Sequence, residues 1–292
     1  QVTEILDGIH FQFSNIKPSD WYEKHRVMSG GASMFQGKFK YDVTPFTREM
    51  VDCASPEHPS RIISIMKTGQ AGVTTGVIEA AIGWSIAENP TNILLLTGHS
   101  DLSEEAMNKI DLMIDSCGLR HLIRPQAMRN RSMKTGDTNM RKEFAGGELI
   151  AGSASNHKLL RQRSIGLAFI DDFEAAKQAT EESGSTRKMI EQRLAAHFDK
   201  MKLFYVSTPE LKHTSNIEPV YLLGDQRKWH VPCPCCGDFI TLQWNIQIDE
   251  RESAGITWKL DNNGRIIENS VGYICQSCGG FFNDKKKYHM NI

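Results

Sequence analysis

The chain has 292 residues, with 34 Lys and Arg against 35 Asp and Glu, a net charge of −1 when its 10 His are neutral. This length suits one or two domains with a sizeable core, and 40% hydrophobic with 24% charged residues is an ordinary globular profile. No apolar run reaches the ~18 residues of a membrane span, and there is no basic excess of the kind that coats nucleic acid indiscriminately, so any grip on DNA has to be local. No secretory signal is expected, and the start at Gln1 reads as a processed or truncated product.

Residues 1–40 open the chain, with a mildly apolar Ile5–Phe13 and a loop at Ser29-Gly30-Gly31-Ala32-Ser33; a turn over Ser55–Ser60 closes an N-terminal segment, 1–60. From Arg61 the pattern alternates. Strands are predicted over Ile62–Met66, Ile93–Thr97, Glu148–Ala151, Gly166–Ile170 and Leu203–Ser207, and helices over Val73–Ala87, Leu102–Cys117 and Arg187–Phe198. Short, continuously apolar strands between helices imply a mostly parallel sheet covered on both faces, an α/β core over 61–212. Residues 118–147, basic and poor in large apolar side chains, read as a loop or lid, and the basic 120–142 within them as one candidate DNA-gripping stretch. Residues 213–292 read as a small β-rich module with a turn at Asn262-Asn263-Gly264.

The first strand runs into Lys67-Thr68-Gly69-Gln70-Ala71-Gly72-Val73-Thr74. A phosphate-binding loop reads G-x-x-x-x-G-K-[ST] between a strand and a helix: glycines admit backbone N–H groups to the phosphates, the Lys reaches the β/γ oxygens and the hydroxyl binds Mg²⁺. Gly72 and Thr74 match the second Gly and the hydroxyl; Val73 occupies the Lys position and Lys67 the first Gly position, so the cation would come from the leading edge of the loop. A simple Gly-containing turn is the competing reading.

The strand ending at Ile170 is followed by Asp171 and Asp172. A carboxylate at such a tip holds Mg²⁺ and the next acid orients the attacking water; Asp172 stands in that second place with one methylene less than Glu, and Glu174 is a possible substitute. The other reading is a pair of helix N-terminal acids. Ser207-Thr208-Pro209, at the tip of the next strand, is a candidate γ-phosphate sensor or an ST-turn. Arg161 or Arg163 could stabilise transition-state charge, in its own or a neighbouring subunit.

Seven Cys include two C-x-x-C knuckles, Cys233/Cys236 and Cys275/Cys278, each followed by Gly. Two such knuckles complete a thiolate tetrahedron around structural Zn²⁺ with no open position. Cys235 is an extra neighbour, and the long spacer between the pairs implies an inserted hairpin.

Taken in order, these segments resemble the large subunit of phage terminases of the lambda-like branch, from about Lys38 to the end. The most specific stretches are Tyr41-Asp42-Val43-Thr44-Pro45-Phe46-Thr47-Arg48-Glu49, Leu222-Leu223-Gly224-Asp225-Gln226-Arg227-Lys228-Trp229-His230-Val231-Pro232-Cys233-Pro234 and Tyr273-Ile274-Cys275-Gln276-Ser277-Cys278-Gly279. Terminases of this kind carry the phosphate-loop Lys at the leading edge, as Lys67 does. The resemblance implies a P-loop motor ATPase that pumps double-stranded DNA into a procapsid in the host cytoplasm. ATP and Mg²⁺ would bind at Lys67–Thr74 and Asp171, with Asp172 at the catalytic Glu position, Arg161 or Arg163 acting in trans, Ser207–Pro209 coupling, and Pro45 and Phe46 covering the adenine. Partners would be the small terminase subunit, the portal and further copies in a ring, with no membrane. Nuclease activity, which follows the ATPase in the family, is not expected in this chain. A non-catalytic nucleotide- and DNA-binding assembly module and a helicase-like ATPase stay open beside it.

Overall fold

Apolar side chains on both faces of a strand need cover on both sides, and the alternation along the central strands sorts them. Ile93 and Leu95, Leu167 and Phe169, Phe204 and Val206 enter one buried cluster with Trp21, Tyr22, Val77, Ile78 and Met107. Leu94 and Leu96, Ala168 and Ile170, Leu203 and Tyr205 enter a second with Ile190, Leu194, Ile217 and Val220. The computed structural model describes residues 15–28, 36–130, 133–154, 156, 164–175, 186–195, 199–211, 214–248 and 253–290. The chain divides into two compact units, Gln1–Asp225 and Gln226–Ile292.

In the first unit the strands are β1 (Val27–Met28), β2 (Gly37–Lys38), β3 (Ile62–Met66), β4 (Ile93–Thr97), β5 (Ala127–Asn130), β6 (Met133–Thr135), β7 (Arg141–Phe144), β8 (Gly147–Ser153), β9 (Leu167–Asp171) and β10 (Lys202–Ser207). The helices are α1 (Pro18–His25), α2 (Phe46–Asp52), α3 (Ala80–Glu88), α4 (Ser100–Ser116), α5 (Thr186–Leu194) and α6 (Ile217–Leu222); a π-helical Thr74–Glu79 runs into α3. The main sheet has six strands in the order β3-β10-β9-β4-β8-β7. Its first five are parallel, and β7 adds antiparallel to β8. The expected mostly parallel sheet flanked by helices is therefore present, with β10 between the strand that precedes the loop and the strand that ends in the acids.

The 118–147 stretch differs from its sequence reading. It is not a loop or lid: β5 and β6 form a hairpin and β7 closes the sheet edge. Ion pairs add to the few apolar contacts made by Leu119, Ile123 and Phe144. Arg120 meets Asp111, Asp115 and Asp137; Lys142, 2% exposed, meets Asp111 and Asp137; Arg141 meets Glu143 and Glu148. These three cations are ion-paired within the chain.

The second unit holds β11 (Val231–Pro232), β12 (Phe239–Ile240), β13 (Asn245–Gln247), β14 (Ser253–Thr257), β15 (Gly272–Ile274) and β16 (Phe281–Phe282). β11 pairs with β12, and β13 to β16 form a four-stranded antiparallel sheet. The expected hairpin between the Cys pairs is β13–β14. The core is small: Val231, Cys233, Ile240, Tyr273, Cys275, Phe282 and Met290.

Candidate active site

The carboxyl ends of parallel strands form the crevice where α/β sheets bind ligands, and the sequence-predicted residues of β3, β9 and β10 collect there. Thr68, Gly69, Gln70 and Gly72 are exposed, whereas Ala71 and Thr74 are half-buried. The loop needs unusual backbone: Gln70 has φ 56° and Gly72 φ 74°. A Cβ on Gly72 would also stand 3.1 Å from Thr44 Cγ2, and one on Gly76 would stand 2.8 Å from Thr47 Oγ1. Tyr41 donates its hydroxyl to the Gly76 carbonyl at 2.8 Å. The 41–47 segment is thus held against the loop and its helix, which brings Pro45 and Phe46, at the start of α2, to the same side. Val73 explains the missing Lys: it is 1% exposed in the larger core cluster, so a side chain there points into the protein.

Asp171 closes β9. Burial raises its carboxyl above the ordinary value, and the Lys67 ammonium is the main charge pulling it back. Lys67, just past β3, thus acts on Asp171 across β10. Asp172 is in the left-handed region at φ 61°, and its N–H donates to Asp171 Oδ1 at 3.1 Å. A non-glycine residue held there is strained unless its surroundings fix it, and such residues cluster at functional sites. The fixing contacts are on either side. The Ala175 N–H donates to the Asp172 carbonyl at 3.1 Å, and a Cβ on Gly98, just past β4, would stand 2.3 Å from Ala175 Cβ.

Glu174 faces away from this role. Its carboxylate accepts the Asn216 N–H at 2.8 Å, the Ile217 N–H at 3.0 Å and the Ser215 hydroxyl. Burial raises its carboxyl, but these donors outweigh burial and bring it below the ordinary value. Ser207, 1% exposed at the tip of β10, joins the two sides: its carbonyl accepts the Lys67 N–H at 3.0 Å and its Oγ accepts the Glu174 N–H at 3.0 Å. Thr208 and Pro209 follow, both exposed. Arg161 and Arg163 lie outside the described residues. Sequence reasoning missed Ser215, Asn216 and Gly98. The Ser-Asn pair ahead of a short apolar run was a helix-start signal; Gly98 had no signal beyond its place after a strand.

The family model for the phage terminase large subunit gpA, ATPase domain, matches residues 33–291. The chain belongs to this family. Among solved structures, the Thermus phage P74-26 large terminase ATPase domain aligns at a TM-score of 0.46 and 11% identity over 78% of this chain and 83% of that one. A mutant form of the same domain gives 0.48 and 11% over 77% and 83%. The large terminase of another, thermophilic bacteriophage gives 0.35 and 13% over 51% and 34%. No curated protein matches.

The second unit of this terminase chain carries the cysteines. Its two knuckles are built alike: Cys233–Cys236 joins β11 to β12 and Cys275–Cys278 joins β15 to β16. Gly237 and Gly279, at φ 81° and 69°, return an N–H to the carbonyl of the first Cys at 2.8 and 2.9 Å. The four Sγ atoms lie within 4.8 Å of one another. Thiolates ~2.3 Å from one zinc ion stand about 3.8 Å apart, so the set fits a closed tetrahedral site. Backbone N–H groups of Cys235, Ser277 and Gly280 point at the Sγ of Cys233, Cys275 and Cys278 at 3.3–3.4 Å, as thiolate charge requires. No helix among the described residues is long and apolar enough to cross a membrane.

Proposed function

We propose that this chain is the ATP-hydrolysing motor domain of a viral DNA-packaging terminase, moving double-stranded DNA into a procapsid. The observation that carries the reading is the convergence of the Lys67–Thr74 loop and the Asp171–Asp172 turn at the carboxyl ends of the parallel strands, with Ser207 bonded to both sides. Lys67 and the loop N–H groups bind the β/γ-phosphates, the Thr74 hydroxyl and the Asp171 carboxylate hold Mg²⁺, and the 45–46 segment covers the base. Mg²⁺ supplies charge neutralisation on the phosphate oxygens when bound.

Asp172 is the residue that orients and deprotonates water. The three donors on the Glu174 carboxylate favour Asp172 over Glu174 for that role. Arg161 or Arg163 stabilises the developing charge, and Ser207–Pro209 couples phosphate release to movement. Cys233, Cys236, Cys275 and Cys278 hold a structural Zn²⁺. The motor works as a homo-oligomeric ring with the small terminase subunit and the portal, in the host cytoplasm.

Phosphate release from ATP, followed colorimetrically at high protein concentration to allow ring formation, tests the reading. Lys67→Ala and Asp171→Ala are expected to abolish Mg²⁺-dependent hydrolysis. A rate unchanged in both would overturn the site assignment.

A further inference from the structure

Helix starts leave backbone N–H groups without intrahelical partners, and two of those at the α6 start are satisfied from another part of the fold. Glu174, 42 residues upstream, takes the Asn216 and Ile217 N–H groups and the Ser215 hydroxyl on its carboxylate. Its carbonyl takes Asn216 Nδ2 at 3.3 Å, and its own N–H is held by Ser207 Oγ. Ile217 is fully buried and Ser215 is 4% exposed, so these bonds are shielded from competing water. Two residues before Glu174 stands the strained Asp172; three residues after α6 ends, the first unit ends at Asp225. One residue therefore joins the acid turn, the β10 tip through its N–H, and α6 through its carboxylate.

We infer that Glu174 is a positioning residue that passes the state of the acid turn to residues 214–222, and through them along the chain toward the second unit. The inference rests on the proposed nucleotide site. When the crevice fills, the 171–175 turn shifts against Ser207. The Glu174 carboxylate, bonded to two consecutive N–H groups, carries the shift into the first turn of α6. An aliphatic residue at 174 would leave the turn and the helix to move separately. A charge-assisted cap on backbone N–H groups is also roughly twice as strong as a neutral one, which suits a link that has to transmit displacement.

Amide hydrogen exchange of the full chain, with Mg²⁺ and either ATPγS or ADP, tests this directly. The wild type is expected to show at least about threefold different exchange over 214–222 between the two nucleotides. Glu174→Ala is expected to abolish the difference, Glu174→Gln, with a single carbonyl acceptor, to keep part of it, and Ser215→Ala to reduce it by about half. ATPγS affinity should stay within about threefold in all three, and Glu174→Gln should keep kcat within about tenfold. A full difference persisting in Glu174→Ala overturns the inference, as does none in the wild type. Should Glu174→Ala fail to fold, an undiminished difference in both Glu174→Gln and Ser215→Ala overturns it. A loss of about 100-fold or more in kcat for Glu174→Gln with the exchange difference intact would make Glu174 the base and overturn it too. Failure of the nucleotide site itself reads out separately, as ATPγS affinity indifferent to Lys67→Ala.

Discussion

Arg26 and Glu79 meet at 3.1 Å with their side chains 6% and 4% exposed. Arg26 also reaches the Leu112 carbonyl at 3.2 Å and the Ser116 hydroxyl, and Glu79 accepts the Thr75 hydroxyl at 3.1 Å. The pair thus ties the chain between α1 and β1 to the π-helical turn that carries Thr74. π-Helical segments are rare and favour functional sites; here buried charge holds one in place.

Removing one partner leaves the other charged and buried, which typically costs ~3–5 kcal/mol. Arg26→Met should lower unfolding stability by about that much in urea, and adding Glu79→Leu should recover most of it. The pH dependence has a defined sign. Burial already raises the Glu79 carboxyl above 4.5 and Arg26 is the main group opposing it, so Arg26→Met raises it further. A carboxyl with a raised folded-state value is destabilising where it must ionise and neutral where both states are protonated. The deficit of Arg26→Met should therefore shrink as pH falls through the raised value toward 4.5. A deficit independent of pH would mean that lost packing, not stranded charge, is responsible.

Asp172 permits a clean separation of chemistry from folding. Asn is among the few residues that tolerate the left-handed region, so Asp172→Asn keeps shape and backbone while losing the base. Its midpoint of thermal unfolding should match the wild type within about 1–2 °C, and kcat should fall by about 100-fold or more, with ATP affinity kept. Asp172→Val, β-branched at positive φ, should lose stability as well, by about 1–3 kcal/mol.

What could be read from the sequence was whatever is carried by residue type at fixed spacing. The Lys67–Thr74 loop, the Asp171-Asp172 pair and the two knuckles each need particular side chains a few positions apart, and each lies where a strand ends. Long-range pairing left no such trace. β10 inserts between β3 and β9 although some 135 residues separate it from β3, and periodicity cannot report neighbours. The 118–147 stretch reads as a loop because much of what secures its edge strand is ion pairing, with few apolar residues such as Phe144 in support. Val73 looked like a defect in the loop until its burial showed that the position faces the core. The partners of Glu174 lie more than 40 residues downstream, beyond what local spacing can report.

The second unit should depend on metal. Among the described residues its core has seven side chains, two of them cysteines, too few to hold a module of this size by burial alone. One zinc per chain is expected by elemental analysis. Chelation, or Cys275→Ser, should collapse the near-ultraviolet circular dichroism of the Trp244–Trp258 pair, whose rings lie 6.3 Å apart. Zinc should restore the signal after chelation. A metal-free chain with that signal intact would remove the zinc assignment.

Gly98 makes the last test, and it works from packing alone. A methyl group there would stand 2.3 Å from Ala175 Cβ, well inside carbon–carbon contact, so the 172–175 turn has to move. Because the Ala175 N–H is bonded to the Asp172 carbonyl, the movement reaches the proposed base before it reaches the loop. Gly98→Ala should therefore lower kcat by about tenfold or more with ATP affinity within about threefold, as misplacement of a reacting group does. Ala175→Gly removes the opposing carbon, so the double variant should regain most of the lost rate. General destabilisation would give a different pattern, with a lowered unfolding midpoint in both the single and double variants and no recovery of kcat. Recovery without a change in midpoint would show that the bend after β4 sets where the acid turn sits.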